Sequence, residues 1–275
     1  MCGILGIACY ETSQLNYVLS EDIKKLVKRL FIESERRGTH AAGVCVLSDS
    51  IASMFKLNVP ASKLVKKYKY SRVVKNISYR RRLRSVIGHT RFKTKGDQIY
   101  NVNNHPIIAN SVIGVHNGVV RNDDFLFDKY RGIIGRAGRV DSEIIFRLID
   151  HYMSKDYTID SAIRTAHEEM YGSYACAFIH TRWPDYLTLF TNSGSIPLYI
   201  FDKYKLMVFA SSRDIVESAI STDLMLGKPS DADEVITIKN GRGARVNLNN
   251  GKIYEFELGQ YNTGSRRQIG YAMYK

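Results

Sequence analysis

The second residue of the chain is a cysteine, and Met1-Cys2-Gly3-Ile4 is a start from which the initiator methionine is expected to be removed. Removal leaves Cys2 with a thiol and a free α-amine, a nucleophile carrying its own base. An α-amine titrates near ~7.7–8.0 and a thiol near ~8.5, so at neutral pH part of the amine is unprotonated and able to take the thiol proton. Residues 3–8 read as a short buried strand that would hold the terminus inside the fold. A small apolar residue opening a strand explains these residues more simply, so the chemical reading depends on the rest of the chain.

Three further stretches carry groups that such a nucleophile could use. His116-Asn117-Gly118 stands at the end of a hairpin read over 107–109 and 112–115. A tetrahedral intermediate needs two donors about 3 Å from its oxyanion, and an asparagine amide with a closely approached glycine N–H supplies them. The same dipeptide is also a common tight turn. Residues 85–92 read as a strand running into a long polar loop through 106, with Arg91 at the strand's end. Such a loop is more often a site than a linker, although a lone arginine there is usually a surface residue. Asp141 opens a helix whose core stripe is Ile144, Ile145, Leu148, Ile149 and Tyr152. A carboxylate is favoured at that position as a cap whether or not it binds anything.

The elements that must position these groups follow from the pattern. Ser20 is expected to cap a helix with Ile23, Leu26, Val27, Leu30 and Phe31 on its core face. The stretch 36–40 ends it, and 41–47 and 51–55 form a strand pair around Ser48-Asp49-Ser50. One or two helices are expected in 63–84, a short helix from Asn122-Asp123, a Gly/Arg-rich loop over 131–139 and a second long helix over 158–170. Strands are expected at 174–179, 186–191, 198–201 and 206–210, then a short helix at 212–219, then strands at 234–238, 244–248 and 253–256. No repeat or linker interrupts them, so a single two-sheet domain with helices outside fits best.

With 275 residues and 44% hydrophobic content the chain can bury a substantial core. No leader-like segment opens it and no stretch approaches the ~20 apolar residues of a membrane span, so a cytoplasmic protein without a membrane partner is expected. Cys2, Cys9, Cys45 and Cys176 show neither a CxxC pair nor an accompanying histidine spacing, so neither zinc nor a disulfide framework is indicated, and three of the four read as core thiols. No cofactor is expected. The net charge of +13 is the unusual feature, and much of it lies in 63–84, where Lys66-Lys67 and Arg80-Arg81-Arg82 alternate with Tyr68, Tyr70 and Tyr79. This suits an anionic or nucleic-acid partner, and more simply a solvated helix face whose tyrosines pack inward.

The order Cys2-Gly3-Ile4, Arg37-Gly38, His89-Thr90-Arg91-Phe92, Asn104-His105-Pro106, His116-Asn117-Gly118, Asn122, Asp141-Ser142-Glu143 and Gly172-Ser173-Tyr174 resembles the class II glutamine amidotransferases, which are N-terminal-nucleophile hydrolases. The likeness runs from residue 2 to about 215 and is far more specific than any one motif. It implies an α+β fold, a four-layer αββα sandwich, with one glutaminase-like domain over 2–258 and a basic tail over 259–275. It also implies that Cys2 attacks the glutamine amide with its α-amine as base, that Asn117 and the Gly118 N–H hold the oxyanion, and that a thioester forms as ammonia leaves. Arg91 would bind the substrate α-carboxylate and Asp141 the α-ammonium. Phe92 and Thr94 would belong to the loop closing over glutamine, and His105 would support the site without taking part in the chemistry.

The sequence departs from the family pattern in places. Phe92 stands where many relatives have tryptophan or tyrosine, and Lys95 where others carry histidine or a small residue. Arg37-Gly38-Thr39-His40-Ala41-Ala42-Gly43 lacks the Asp-Ser common after this Arg-Gly. Residues 216–275 are too few for the acceptor domain of multidomain relatives, so the ammonia acceptor is expected on a separate synthase chain, toward which the basic segment could dock. Two other readings stand beside this one. An acylase-like cleavage of another amide is disfavoured by Arg91 and Asp141, which such a substrate gives nothing to bind. A catalytically silent nucleic-acid-binding or scaffold module is disfavoured by the survival of the whole residue set.

Overall fold

Strand β1 (Gly3–Cys9) is apolar along its length because both its faces and both its edges are covered. In this computed structural model, which describes residues 2–11, 15–49 and 51–259, it lies inside a seven-stranded sheet between β10 (Leu206–Ala210) and β4 (Leu83–Arg91), antiparallel to both. Alternation divides its side chains. Ile4 and Ala8 enter the core between two sheets, while Leu5, Ile7 and Cys9 face a helical layer. The sheet continues through β9 (Ser195–Phe201) to β11 (Glu234–Lys239) on one side, and through β2 (Ala41–Ser48) to β3 (Ile51–Leu57) on the other.

The second sheet has six strands, in the order β13 (Ile253–Glu257), β12 (Arg242–Asn247), β8 (Trp183–Thr191), β7 (Gly172–His180), β6 (Val112–Val120) and β5 (Ile107–Ala109), all antiparallel. Ile113, Val115, Ala177, Leu187 and Leu189 of this sheet share the inter-sheet core with Ile4, Ile87, Leu198 and Phe209 of the first. Outside the first sheet pack α1 (Tyr17–Ser34), α2 (Ala61–Leu64), α3 (Tyr68–Val74) and α7 (Arg213–Ala219). Outside the second pack α5 (Ser142–Met153) and α6 (Ile159–Glu169), with the short α4 (Asp123–Lys129) beside α5. The layers are therefore αββα, the architecture the resemblance implies.

Several local expectations change. Helix α1 begins before Ser20: Asn16 is the cap, its side chain accepting the Leu19 N–H at 2.8 Å, and the Ser20 hydroxyl donates to Tyr17 O instead. The expected core face is correct, with Ile23, Leu26, Val27, Leu30 and Phe31 fully buried. The hairpin strand expected to stop at 115 runs on to Val120, so Asn117-Gly118 is no turn; it pairs with Ala175 and Tyr174 in mid-sheet. The segment 63–84 gives two short helices, with Tyr70 turned inward and Tyr68 outward. Residues 260–275, most of the expected tail, lie outside the described residues, as do Met1 and Ser50.

Because the α1 face is packed against both β1 and β4, Leu30→Ala is expected to cost about 2–5 kcal/mol of stability, read as a lowered urea midpoint with an unchanged m-value.

Candidate active site

The nucleophile candidate is held from several directions. Cys2 immediately precedes β1 and is 9% exposed. Its thiol lies against the backbone of Phe92, donating to Phe92 O and accepting from the Phe92 N–H, both at 3.3 Å. Its carbonyl accepts from Arg37 Nε at 2.9 Å. Two residues on, the Ile4 N–H donates to Ser211 Oγ at 2.8 Å and Ile4 O accepts the Ser211 N–H at 2.9 Å. Arg37 comes from the 3-10 turn that ends α1, and Gly38 follows because the turn lies flat on the end of β4: a Cβ there would sit 2.3 Å from the Arg91 carbonyl carbon. Burial pushes the Cys2 thiol above its usual range, opposed by the Phe92 N–H and by Arg91. The sulfur therefore rests as a thiol and needs a base at the moment of attack.

Cys2 opens into a cavity of about 470 Å³ that is also lined by Phe92, Thr94, Asn117, Gly118 and Ser193. Strand β6 delivers Asn117 and Gly118 to its wall. Gly118 has φ +142°, and a Cβ there would meet Ser173 O at 1.9 Å, so no other residue fits. The backbone is thereby set with Asn117 and Gly118 beside the cavity, as an oxyanion site requires.

Arg91 and Asp141 lie deeper, 2% and 1% exposed, and neither lines that cavity as it stands. Arg91 at the end of β4 spends its guanidinium on oxygens that carry no charge: Asn104 Oδ1 at 2.8 Å, Lys95 O at 2.6 Å and Gly96 O at 2.7 Å. It clasps the 93–106 loop. Asp141 occupies the cap position of α5 but makes no cap bond; Oδ2 accepts the Val120 N–H at 2.8 Å, tying α5 to the strand that carries Asn117. Both groups are close enough to act on the Cys2 thiol, Arg91 lowering and Asp141 raising it.

The loop is fastened at a second point. Lys95 Nζ contacts both Asp123 oxygens at 2.7 Å and Asp124 Oδ2 at 2.8 Å, and Arg136 pairs with the same two carboxylates. Phe92, 49% exposed, leans on the His40 ring at 5.0 Å, and Thr94 is exposed at the cavity mouth. His105 lies underneath, stacked on His89 at 4.0 Å with neither ring nitrogen hydrogen-bonded, and burial keeps it neutral. That is the setting of a packing residue.

Sequence reasoning did not anticipate Ser211 or the part of Asp123 in holding Lys95, and it quoted Asn104 only within a motif, without its contact to Arg91. Among the described residues no cluster of three or more His, Cys, Asp or Glu side chains could hold a metal ion, and no helix is long and apolar enough to cross a membrane.

The fold has counterparts among known proteins. Residues 89–218 match the family described as glutamine amidotransferase domain. Glutamine--fructose-6-phosphate aminotransferase of Acinetobacter baylyi is 28% identical over 92% of this chain, and its Helicobacter pylori counterpart 27% over 97%. The chain spans 36% and 41% of those proteins' lengths. Among solved structures, the B. subtilis glutamine phosphoribosylpyrophosphate amidotransferase superposes with a TM-score of 0.66 at 16% identity, over 94% of this chain and 50% of that one. An allosteric regulatory enzyme of purine biosynthesis gives 0.68 at 17% identity, over 95% and 50%. The two packed antiparallel sheets between helical layers are the fold that this chain shares with both structures. By the match over residues 89–218 and the likeness of nearly the whole chain to these relatives, the chain resembles the class II glutamine amidotransferases.

Gly118→Ala is expected to lower the melting temperature by more than about 5 °C, because the added methyl must displace the β7 backbone. Gly135→Ala, where a Cβ meets nothing within 4 Å, is expected to leave it unchanged.

Proposed function

We propose that this chain hydrolyses L-glutamine to glutamate and ammonia through a Cys2 thioester. The observation that carries the reading is Cys2, at the head of a doubly paired strand, sharing one cavity with Asn117 and Gly118 while buried Arg91 and Asp141 stand behind it. Removal of Met1 leaves the α-amine on Cys2. That amine takes the thiol proton as sulfur adds to the side-chain amide carbon, and Asn117 with the Gly118 N–H bears the oxyanion. The amine then returns the proton to the leaving nitrogen, the C–N bond breaks, and ammonia departs. Water attacks the thioester by the same route, releasing glutamate and the thiol.

Arg91 takes the substrate α-carboxylate by exchanging the Lys95 and Gly96 carbonyls for a charged partner, and Asp141 takes the α-ammonium. Phe92 and Thr94 close over the bound amino acid, and His105 packs beneath. Residues 2–258 act as one domain, a reading supported by the core that both sheets share. An ammonia-accepting synthase is the partner this reading calls for.

Intact mass after incubation with a glutamine analogue bearing an electrophilic ketone tests the reading. The expected product lacks Met1, gains a single adduct, is protected by excess glutamine and is absent in Cys2→Ala. A processed protein that takes no adduct would leave a silent module. Arg91→Ala and Asp141→Ala are expected to lower kcat/KM for glutamine by about 10²-fold or more, since each leaves a buried charge of the substrate unpaired. Asn117→Ala is expected to lower kcat by about 10²–10³-fold with a smaller change in KM.

A further inference from the structure

Residues 63–84 hold ten of the chain's 40 Lys and Arg and none of its 27 Asp and Glu, so this segment supplies most of the +13 charge. The structure divides those cations. Arg82 and Arg84 are tied into the fold, Arg82 to Asn249 Oδ1 at 2.7 Å and Arg84 to Asp185 Oδ1 at 2.5 Å. Among the described residues, the ion pairs include none for Arg72, Lys75, Arg80 or Arg81. These four form one wall of a groove of about 500 Å³ whose other wall is the start of α1, where Lys24 is already neutralised by Glu21 at 2.6 Å.

The aromatics between them are not a stacking platform. Tyr70 is 4% exposed, and Tyr68, 76% exposed, does not line the groove. Tyr79 has the Arg80 guanidinium over its ring at 5.4 Å and Tyr17 packed edge-on at 5.8 Å. Bases would therefore find no row of open rings. Uncompensated cations lining a groove between helical segments match carboxylates presented by a polypeptide.

The groove also lies far from the nucleophile. Asn76 is fixed to Ser48 Oγ at 2.7 Å, and Ser48 pairs with Leu83 at the start of β4, whereas Arg91 and Phe92 stand at its other end against Cys2. Nine strand residues separate the two ends by roughly 25 Å. We propose that this groove is a docking site for an acidic protein segment, anchoring a partner at the end of the sandwich away from the site where ammonia is released.

Fluorescence anisotropy with a fluorescein-labelled poly-L-glutamate peptide tests this without glutamine, so it stands or falls separately from the glutaminase reading. Oligothymidylate of equal charge and phosphatidylserine vesicles serve as competing probes. The expected result is salt-sensitive binding of polyglutamate, tighter than either competitor. It is weakened at least about tenfold by R72E/K75E/R80E/R81E, with the Cys2 adduct yield and the melting temperature unchanged. Should the reversed protein melt early, the corresponding alanine variant decides by the same readout. Equal affinity in the variant, no binding of polyglutamate, or tighter binding of the oligonucleotide or the vesicles would overturn the proposal.

Discussion

The pairing of β1 on both edges is the constraint on which the site depends. A chain terminus ordinarily frays, because its last residues have neither hydrogen-bond partners nor buried area to offset their entropy. Here β10 and β4 take the two edges, the α1 face and the inter-sheet core take the two faces, and Arg37, Phe92 and Ser211 take the polar groups of Cys2 and Ile4. The Cys2 thiol thereby inherits the rigidity of the middle of a sheet. Most of the strain-sensitive contacts near the site serve this: Gly38 lets the α1 exit lie on β4, and Thr90 donates to Ser34 O at 2.8 Å beneath Gly3.

The second organising feature is a buried cation without a charged partner. Taking a guanidinium out of water costs several kcal/mol unless its donors are satisfied. Arg91 meets that cost with two loop carbonyls and an asparagine oxygen. The result is a desolvated positive charge held in place and a loop folded onto it. In the proposed reaction an arriving carboxylate replaces dipoles with a full charge, so binding and loop rearrangement become one event. Lys95 restrains that rearrangement through Asp123, itself 1% exposed. Opening of the loop would break contacts with solvent-facing Asp124 and buried Asp123 together, so Lys95, at a position where relatives carry histidine or a small residue, acts here as a fastening.

Elements governed by local pattern were readable. The apolar face of α1, the continuous run of β1 and the stripe of α5 follow from periods of 3.6 and 2 that burial enforces wherever the element is placed. What escaped depended on partners distant in sequence. Asn16 displaced Ser20 as cap because α1 starts one turn earlier, over Tyr17 and Val18, whose exposure gives no apolar signal. Asn117-Gly118 looks like a turn by composition, yet β7 continues the ladder past it and the positive φ of Gly118 is spent in mid-strand. Asp141 looks like a cap, yet its carboxylate turns to Val120, 21 positions earlier. The sequence reading named Arg91 as a residue of chemical interest but could not show that its present ligands are backbone oxygens, because carbonyls leave no trace in residue identity.

The separation of charge and chemistry along β4 has a consequence for how such a domain would work with a partner. Ammonia is small, neutral in its reactive form and lost to bulk water unless the acceptor lies close to the cavity that holds Cys2. Binding strength, however, need not reside there. If the contact area around the cavity mouth must admit glutamine and release glutamate, it has to be kept light, since every well-packed contact at the mouth would oppose loop motion. A charged groove roughly 25 Å away carries no such conflict. Electrostatic attraction there raises the encounter rate and the effective concentration of the acceptor at the mouth while leaving the 93–106 loop unburdened. The Arg82 and Arg84 ties fasten the basic segment to the turn after β12 and to β8, so the groove is anchored to the second sheet as well as to β4.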